Sequence, residues 1–179
     1  MYERKSRLLN AEALWSFALK VLSGRAYSIG ELREKLRRRA ESVSDIDEII
    51  VRLKELGYLD DRRFAESFAT ARLSNEGFGR GRVIQDLRQR RVAPALAEKT
   101  VGKVYEEVDD QALIEEWIRR KYRMAPREGL FQSEKDLAAA YRRLLRAGFR
   151  SGEIVSALKR FAKDPSLLDN FEPPEETVD

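Results

Sequence analysis

One spacing of apolar residues occurs three times in this chain of 179 residues, and it restricts the fold to repetition of a small helical unit. From Leu36, apolar residues follow ten, fourteen and seventeen positions later, at Ile46, Ile50 and Leu53. The same steps lead from Leu87 to Ala97, Val101 and Val104, and from Leu144 to Ile154, Leu158 and Phe161. Upstream, Ser16-Phe17-Ala18 and Leu22-Ser23 return 51 residues later as Ser67-Phe68-Ala69 and Leu73-Ser74. A triplicated module presents a surface extended along one direction, so its expected partner is itself long or repetitive.

Nearly every segment carries the three-to-four residue apolar period of a helix, and none alternates like a half-buried strand. The fold class is therefore all-α, with three tandem three-helix repeats in an elongated, curved arrangement. Helices are expected near 10–23, 29–40 and 45–56, then 60–75, 81–91 and 94–107, then 109–124, 134–147 and 151–163. Ser28 with Glu31, Ser44 with Asp47, and Ser133 with Asp136 each place a hydroxyl at an N-cap and a carboxylate three residues on. Asp60-Asp61 supplies an N-cap and a first-turn acid, Pro94 fits a first turn, and Gly57 offers a left-handed helix stop. The Pro and Gly of Met124 to Gly129 mark a loop inside the third repeat. The expected boundaries are residues 1–57, 58–108 and 109–163 for the repeats and 164–179 for a disordered tail.

Charge narrows function further. The tail carries six acids and no base, which leaves 35 bases against 25 acids in the preceding 163 residues. A basic body favours polyanions, and a proline-containing acidic tail screens it. Without any Cys or His, the chain lacks disulfides, thiolate nucleophiles and the commonest metal ligand and general base. Neither a catalytic residue, a metal nor a cofactor is expected. No run reaches the roughly 18 to 20 apolar residues of a membrane span, so a cytoplasmic protein is the expectation.

Two motifs invite catalytic readings that their contexts oppose. Gly77-Phe78-Gly79-Arg80-Gly81 resembles a phosphate-cradling loop, but a helix precedes it and position 82 is Arg rather than the final Gly of a dinucleotide fingerprint. It reads as a hinge between helices. The pairs Asp60-Asp61, Asp109-Asp110 and Glu115-Glu116 read mainly as helix capping, since adjacent helical residues do not face one another. Trp15, Phe17, Phe64, Phe68, Trp117, Tyr141 and Phe161 fall on apolar faces and are expected in the core. Tyr27, Phe78 and Phe149 sit at junctions and fit either core or surface.

The basic clusters carry the functional signal. Arg33, Lys35, Arg37, Arg38 and Arg39 crowd the second helix of the first repeat, with Arg25 just ahead of it. Arg80, Arg82, Arg88, Arg90 and Arg91 occupy the matching element of the second, and Arg142, Arg143, Arg146 and Arg150 that of the third. A single charge run is commonly a solvated face. Its recurrence in equivalent helices, with Arg favoured over Lys, points to phosphate or carboxylate recognition.

At these residues the chain resembles the RecX family of recombination regulators, from about residue 11 to 162. The likeness rests on Leu22-Ser23-Gly24-Arg25-Ala26-Tyr27-Ser28, Glu31-Leu32-Arg33-Glu34-Lys35-Leu36 and Leu53-Lys54-Glu55-Leu56-Gly57-Tyr58-Leu59-Asp60-Asp61 with Arg63-Phe64-Ala65. Gly79 to Leu87 and Leu144-Leu145-Arg146-Ala147-Gly148-Phe149 extend it. The resemblance implies a non-enzymatic regulator in DNA repair and the SOS response. Such a protein lies in the groove of the RecA–DNA filament and restrains strand exchange, ATP hydrolysis and coprotease function. It also implies weak, sequence-independent affinity for single- and double-stranded DNA; a monomer that avoids membranes is the expected state. The chain departs from the family pattern at Gly81, where Pro is frequent, and at Arg91, where Gly commonly ends the helix.

The alternative is a DNA-binding protein, sequence-independent or operator-specific, whose helices read the major groove. Base readout from a basic helix needs side chains that reach base edges, and Gln85 and Gln89 are the amide candidates. A scaffold whose basic face binds acidic protein surfaces is a third reading.

Overall fold

A computed structural model describes residues 8–122 and 129–168. Within them lie α1 (Ala11–Gly24), α2 (Ile29–Arg37), α3 (Val43–Glu55), α4 (Asp61–Ala71), α5 (Arg80–Gln89), α6 (Pro94–Val104), α7 (Asp110–Tyr122), α8 (Glu134–Arg146) and α9 (Ser151–Phe161). Extended pairing among the described residues is limited to single bridges, Leu9 with Ala40 and Phe131 with Ala162. Eleven of the twelve residues of the repeated spacing are buried, and Val104 is half-buried. The apolar period thus marks the faces that helix packing removes from water.

The chain divides into two compact units, residues 1–68 with 86–100 and residues 69–85 with 101–179. Residues of the expected middle repeat are shared between them. In the first unit α1, α2 and α3 pack on one another around Leu14, Ala18, Leu32, Leu36, Ile50 and Leu53. In the second, α9 packs against α7 and α8 around Ile114, Ile118, Leu137, Leu144, Ile154 and Leu158.

Local chemistry sets the ends. Ser28 Oγ accepts from Glu31 N at 3.0 Å while the Glu31 carboxylate accepts from Ser28 N, the capping box expected there. Ser133 caps α8 in the expected way, and Asp60 Oδ1 accepts from the amides of Arg62 and Arg63. Asp61 does more than fill a first turn. Its Oδ1 accepts from Ile29 N at 2.8 Å, and burial holds its carboxyl above the usual range.

Three expectations shift. α3 starts earlier, at Val43, because Ser42 rather than Ser44 takes the N-cap position; the two hydroxyls bond each other at 2.8 Å. The helix expected to run to residue 75 turns at Arg72 into one π-turn, Arg72–Glu76, closed by Gly77 at a φ of 64°. Residues 165–168, assigned to the expected tail, form a 3₁₀ turn with Leu168 buried in the second core. The loop expected at Met124 to Gly129 lies, apart from Gly129, outside the described residues, as do residues 169–179.

Both departures from the family pattern have a structural outcome. Arg91 takes a φ of 59°, so it ends α5 in the left-handed conformation usual for glycine, and Val92 N donates to Leu87 O. Gly148 ends α8 in the same way, at a φ of 91° with Phe149 N donating to Leu144 O. Gly79 and Gly81 lie against that turn. Their amides donate to Ala147 O at 2.8 Å and Gly148 O at 3.1 Å, which explains the glycine spacing without any bound phosphate.

Candidate polyanion-binding interface

The cations predicted from the sequence divide into two groups. At the end of α2 and just after it, Arg37, Arg38 and Arg39 are exposed; Arg38 pairs with Glu34 at 3.5 Å, and the Arg39 guanidinium lies 5.6 Å from the Phe17 ring centre. Lys35 is exposed with its ammonium 5.8 Å from the Tyr27 ring centre, and Arg33 is paired with Asp47. Arg25 lies over Tyr27 at 3.6 Å and bonds Glu31 at 3.2 Å. On α8, Arg142 and Arg146 are exposed, and Arg143 donates to the Tyr122 hydroxyl at 3.1 Å. Arg150, the N-cap residue of α9, is exposed as well.

The cations in and after α5 have partners within the protein, and of them Arg88 and Arg91 are also exposed. Arg80 donates to the Tyr105 carbonyl at 2.7 Å and approaches Asp110 at 3.9 Å. Arg82 is half-buried with its guanidinium 5.7 Å from the Phe78 ring centre. Arg88 bonds Glu98 at 2.7 Å, and Arg91 approaches Glu34 at 3.9 Å. Arg90 bonds Glu31 at 3.1 Å, covers the Phe68 ring at 5.5 Å, and its carbonyl accepts from the Ser28 hydroxyl. Equivalent positions in the sequence therefore hold cations of unlike availability.

Two clefts gather aromatic and basic side chains. In the first unit Arg25, Tyr27, Tyr58, Phe64, Phe68 and Arg90 line a cleft of about 390 Å³. Of these aromatics Tyr58 is the most open, 56% exposed. Phe64 and Phe68, expected in the core, are half-buried here with rings stacked at 6.0 Å. In the second unit Phe78, Arg82, Trp117, Lys121, Arg143 and Arg146 line a cleft of about 310 Å³.

Sequence reasoning missed Lys121, and it placed Trp117 in the core, where the structure leaves it half-buried. The one signal was the run Arg119-Arg120-Lys121 closing α7, but cations there also complement the helix dipole. Trp15 and Phe17 are likewise half-buried, while Tyr141, Phe149 and Phe161 are buried.

The acidic pairs act as expected at two sites: Asp60 and Asp109 cap α4 and α7. Glu115 and Glu116 instead pair with Arg160 and with Arg119 and Arg120. Among the described residues no group of three or more acids is placed to hold a metal ion, and no helix is long and apolar enough to cross a membrane.

Comparison with known proteins follows the same lines as the helices. Residues 15–53 match the model of the first three-helix domain of RecX, and residues 60–101 that of the second. The regulatory protein RecX of Deinococcus radiodurans is 34% identical over 159 residues, which span 89% of this chain and 73% of that one. The protein of the same name from Haemophilus influenzae is 30% identical over 145 residues, 80% of this chain and 91% of the other. In Trichlorobacter lovleyi the figure is 31% over 134 residues, covering 75% and 86%. The crystal structure of RecX from Lactobacillus salivarius shares the fold at a TM-score of 0.63 and 21% identity, over 84% of this chain and 96% of that one. With helical domains, relatives and fold in agreement, this chain belongs to the RecX family of regulatory proteins.

Proposed function

We propose that this chain regulates RecA as a non-enzymatic inhibitor. It binds the groove of the RecA–DNA filament and restrains ATP hydrolysis, strand exchange and coprotease activity. The observation that carries this reading is the return of exposed guanidinium groups at the end of α2 and on α8, separated along one chain of a regulatory family. Separate basic helices bridge successive units of a repetitive polyanionic assembly. Weak contacts then act together, because binding of one raises the effective concentration of the next. Contacts of this kind go to phosphates and carry no base sequence, which suits a protein that acts wherever a filament forms.

The test is RecA ATPase on single-stranded DNA with this protein titrated in. Inhibition is expected at well below one copy per recombinase subunit. Unchanged ATP turnover at a full equivalent would overturn the proposal. DNA binding by the isolated protein is expected to be weak and salt-sensitive, each duplex phosphate contact contributing about 0.9 to the log–log slope. Tight discrimination of one operator over scrambled DNA would establish the operator-reading alternative instead.

A further inference from the structure

The cleft of the second unit combines two features that neither solvated basic helices nor an ordinary core requires. Its cations converge from three helices, Arg82 on α5, Lys121 on α7, and Arg143 with Arg146 on α8. Lys121 and Arg146 are exposed there, and cations gathered at one opening favour a polyanion. Between the cations sit two aromatic side chains, Phe78 and Trp117, which touch the core with part of their surface and leave part to the cleft.

We propose that this cleft is a binding site for single-stranded nucleic acid. One or two unstacked bases rest against Trp117 and Phe78, and Lys121, Arg143 and Arg146 hold the flanking phosphates. Interleaved rings and cations are what a single strand recognises: every base has a π-face, and the backbone beside it is anionic. A duplex keeps its bases stacked inside and offers none to Trp117. An acidic protein segment would use the cations and leave both rings unmatched, since a carboxylate side chain has no planar ring. The site rests on the DNA affinity proposed above and adds to it a preference for unpaired strands.

The chain has two tryptophans, so Trp15→Phe in the full-length protein leaves Trp117 as the only one. Emission from that protein is followed at low salt while oligo(dT), a duplex of equal length, or poly-glutamate is added, with binding read independently by anisotropy of labelled DNA. Oligo(dT) is expected to quench Trp117 saturably and the duplex to bind without comparable quenching. Adding Lys121→Gln and Arg146→Gln, both at exposed positions, should weaken oligo(dT) binding about tenfold. The log–log salt slope should fall by about 1.4, the contribution of two single-strand phosphate contacts.

Oligo(dT) binding with Trp117 emission unmoved, or unchanged by the double substitution, would move the site elsewhere and leave the DNA reading standing. Absence of any DNA binding by the unsubstituted protein at low salt would remove the DNA reading itself. Equal quenching by poly-glutamate would reassign the cleft to an acidic protein partner.

Discussion

Gly148 has two constraints at once: a φ of 91°, and no room for a side chain. A Cβ built there would sit 2.2 Å from the Arg82 amide nitrogen and 2.8 Å from the Gly79 carbonyl oxygen. Gly148→Ala is expected to cost about 3 kcal/mol, because backbone on both sides must move. At Gly152, where a Cβ meets nothing within 4 Å, Ala should be neutral or slightly stabilising. Urea denaturation of the two variants checks the contrast, and equal midpoints would refute it. Tyr105 makes a different demand. Fully buried, it donates its hydroxyl to the Phe78 carbonyl at 2.7 Å, and burial, then the negative charge of Asp110, holds the phenol well above its usual value. With the folded value raised, its contribution to stability is complete below the unfolded value near pH 10 and is lost as pH rises beyond it. Stability measured from pH 8 to 12 should fall more steeply for the unsubstituted protein than for Tyr105→Phe, which starts about 1 kcal/mol lower for want of that bond. Parallel curves would show that Tyr105 ionises freely.

Helices at matching places in the repeated apolar spacing differ in what their charges are for. On α8, Arg142 and Arg146 are exposed and Arg143 makes one bond to a tyrosine hydroxyl. Reversing all three to Glu should abolish inhibition of the RecA ATPase and leave the helical circular-dichroism signal intact. The reversal of Arg88, Arg90 and Arg91 is a different experiment. Arg90→Glu sets a carboxylate against Glu31, whose oxygens also serve Arg25 and the cap of α2, so a loss of about 2 kcal/mol is expected from that substitution alone. If the α8 variant inhibits like the unmodified protein, its arginines are a solvated face and the mechanism uses other residues. In the same element, the end of α5 shows that a residue other than glycine can hold a left-handed turn. Arg91 does so, with its side chain directed to Glu34 and its Cβ and carbonyl where a side chain on Gly30 would have to go.

Across the whole molecule, charge is arranged in sequence order: a basic body and then acids. The 3₁₀ turn and the buried Leu168 place the useful boundary after residue 168, where five acids remain and no base. A run of like charges joined to a basic body competes with polyanions at high effective concentration. Removal of residues 169–179 should therefore tighten DNA and filament binding at low salt, with the gain fading as salt screens it. Truncation before Pro165 would also remove Leu168 from the core and confound the measurement. Unaltered affinity at low salt after truncation past Leu168 would assign the acids another role.

Periodicity and capping chemistry made the helices legible, because both are local. A face that recurs every three to four residues has to be buried, and a Ser three residues before a Glu satisfies amides that no other group reaches. The placement of Leu36, Ile46, Ile50 and Leu53, the box at Ser28 and the stop at Gly57 follow from neighbours along the chain alone. Availability of a charge is not local in this sense. Arg90 and Arg142 read alike in sequence, yet one is bonded to a carboxylate 59 positions away and the other is exposed. Trp117 and Lys121 become part of one cleft with Arg82 and Arg146 only when three helices converge. The sequence by itself determined where apolar faces and helix ends lie; which cations are left for a partner was decided by tertiary structure, since an ion pair depends on distance in space and not on separation along the chain.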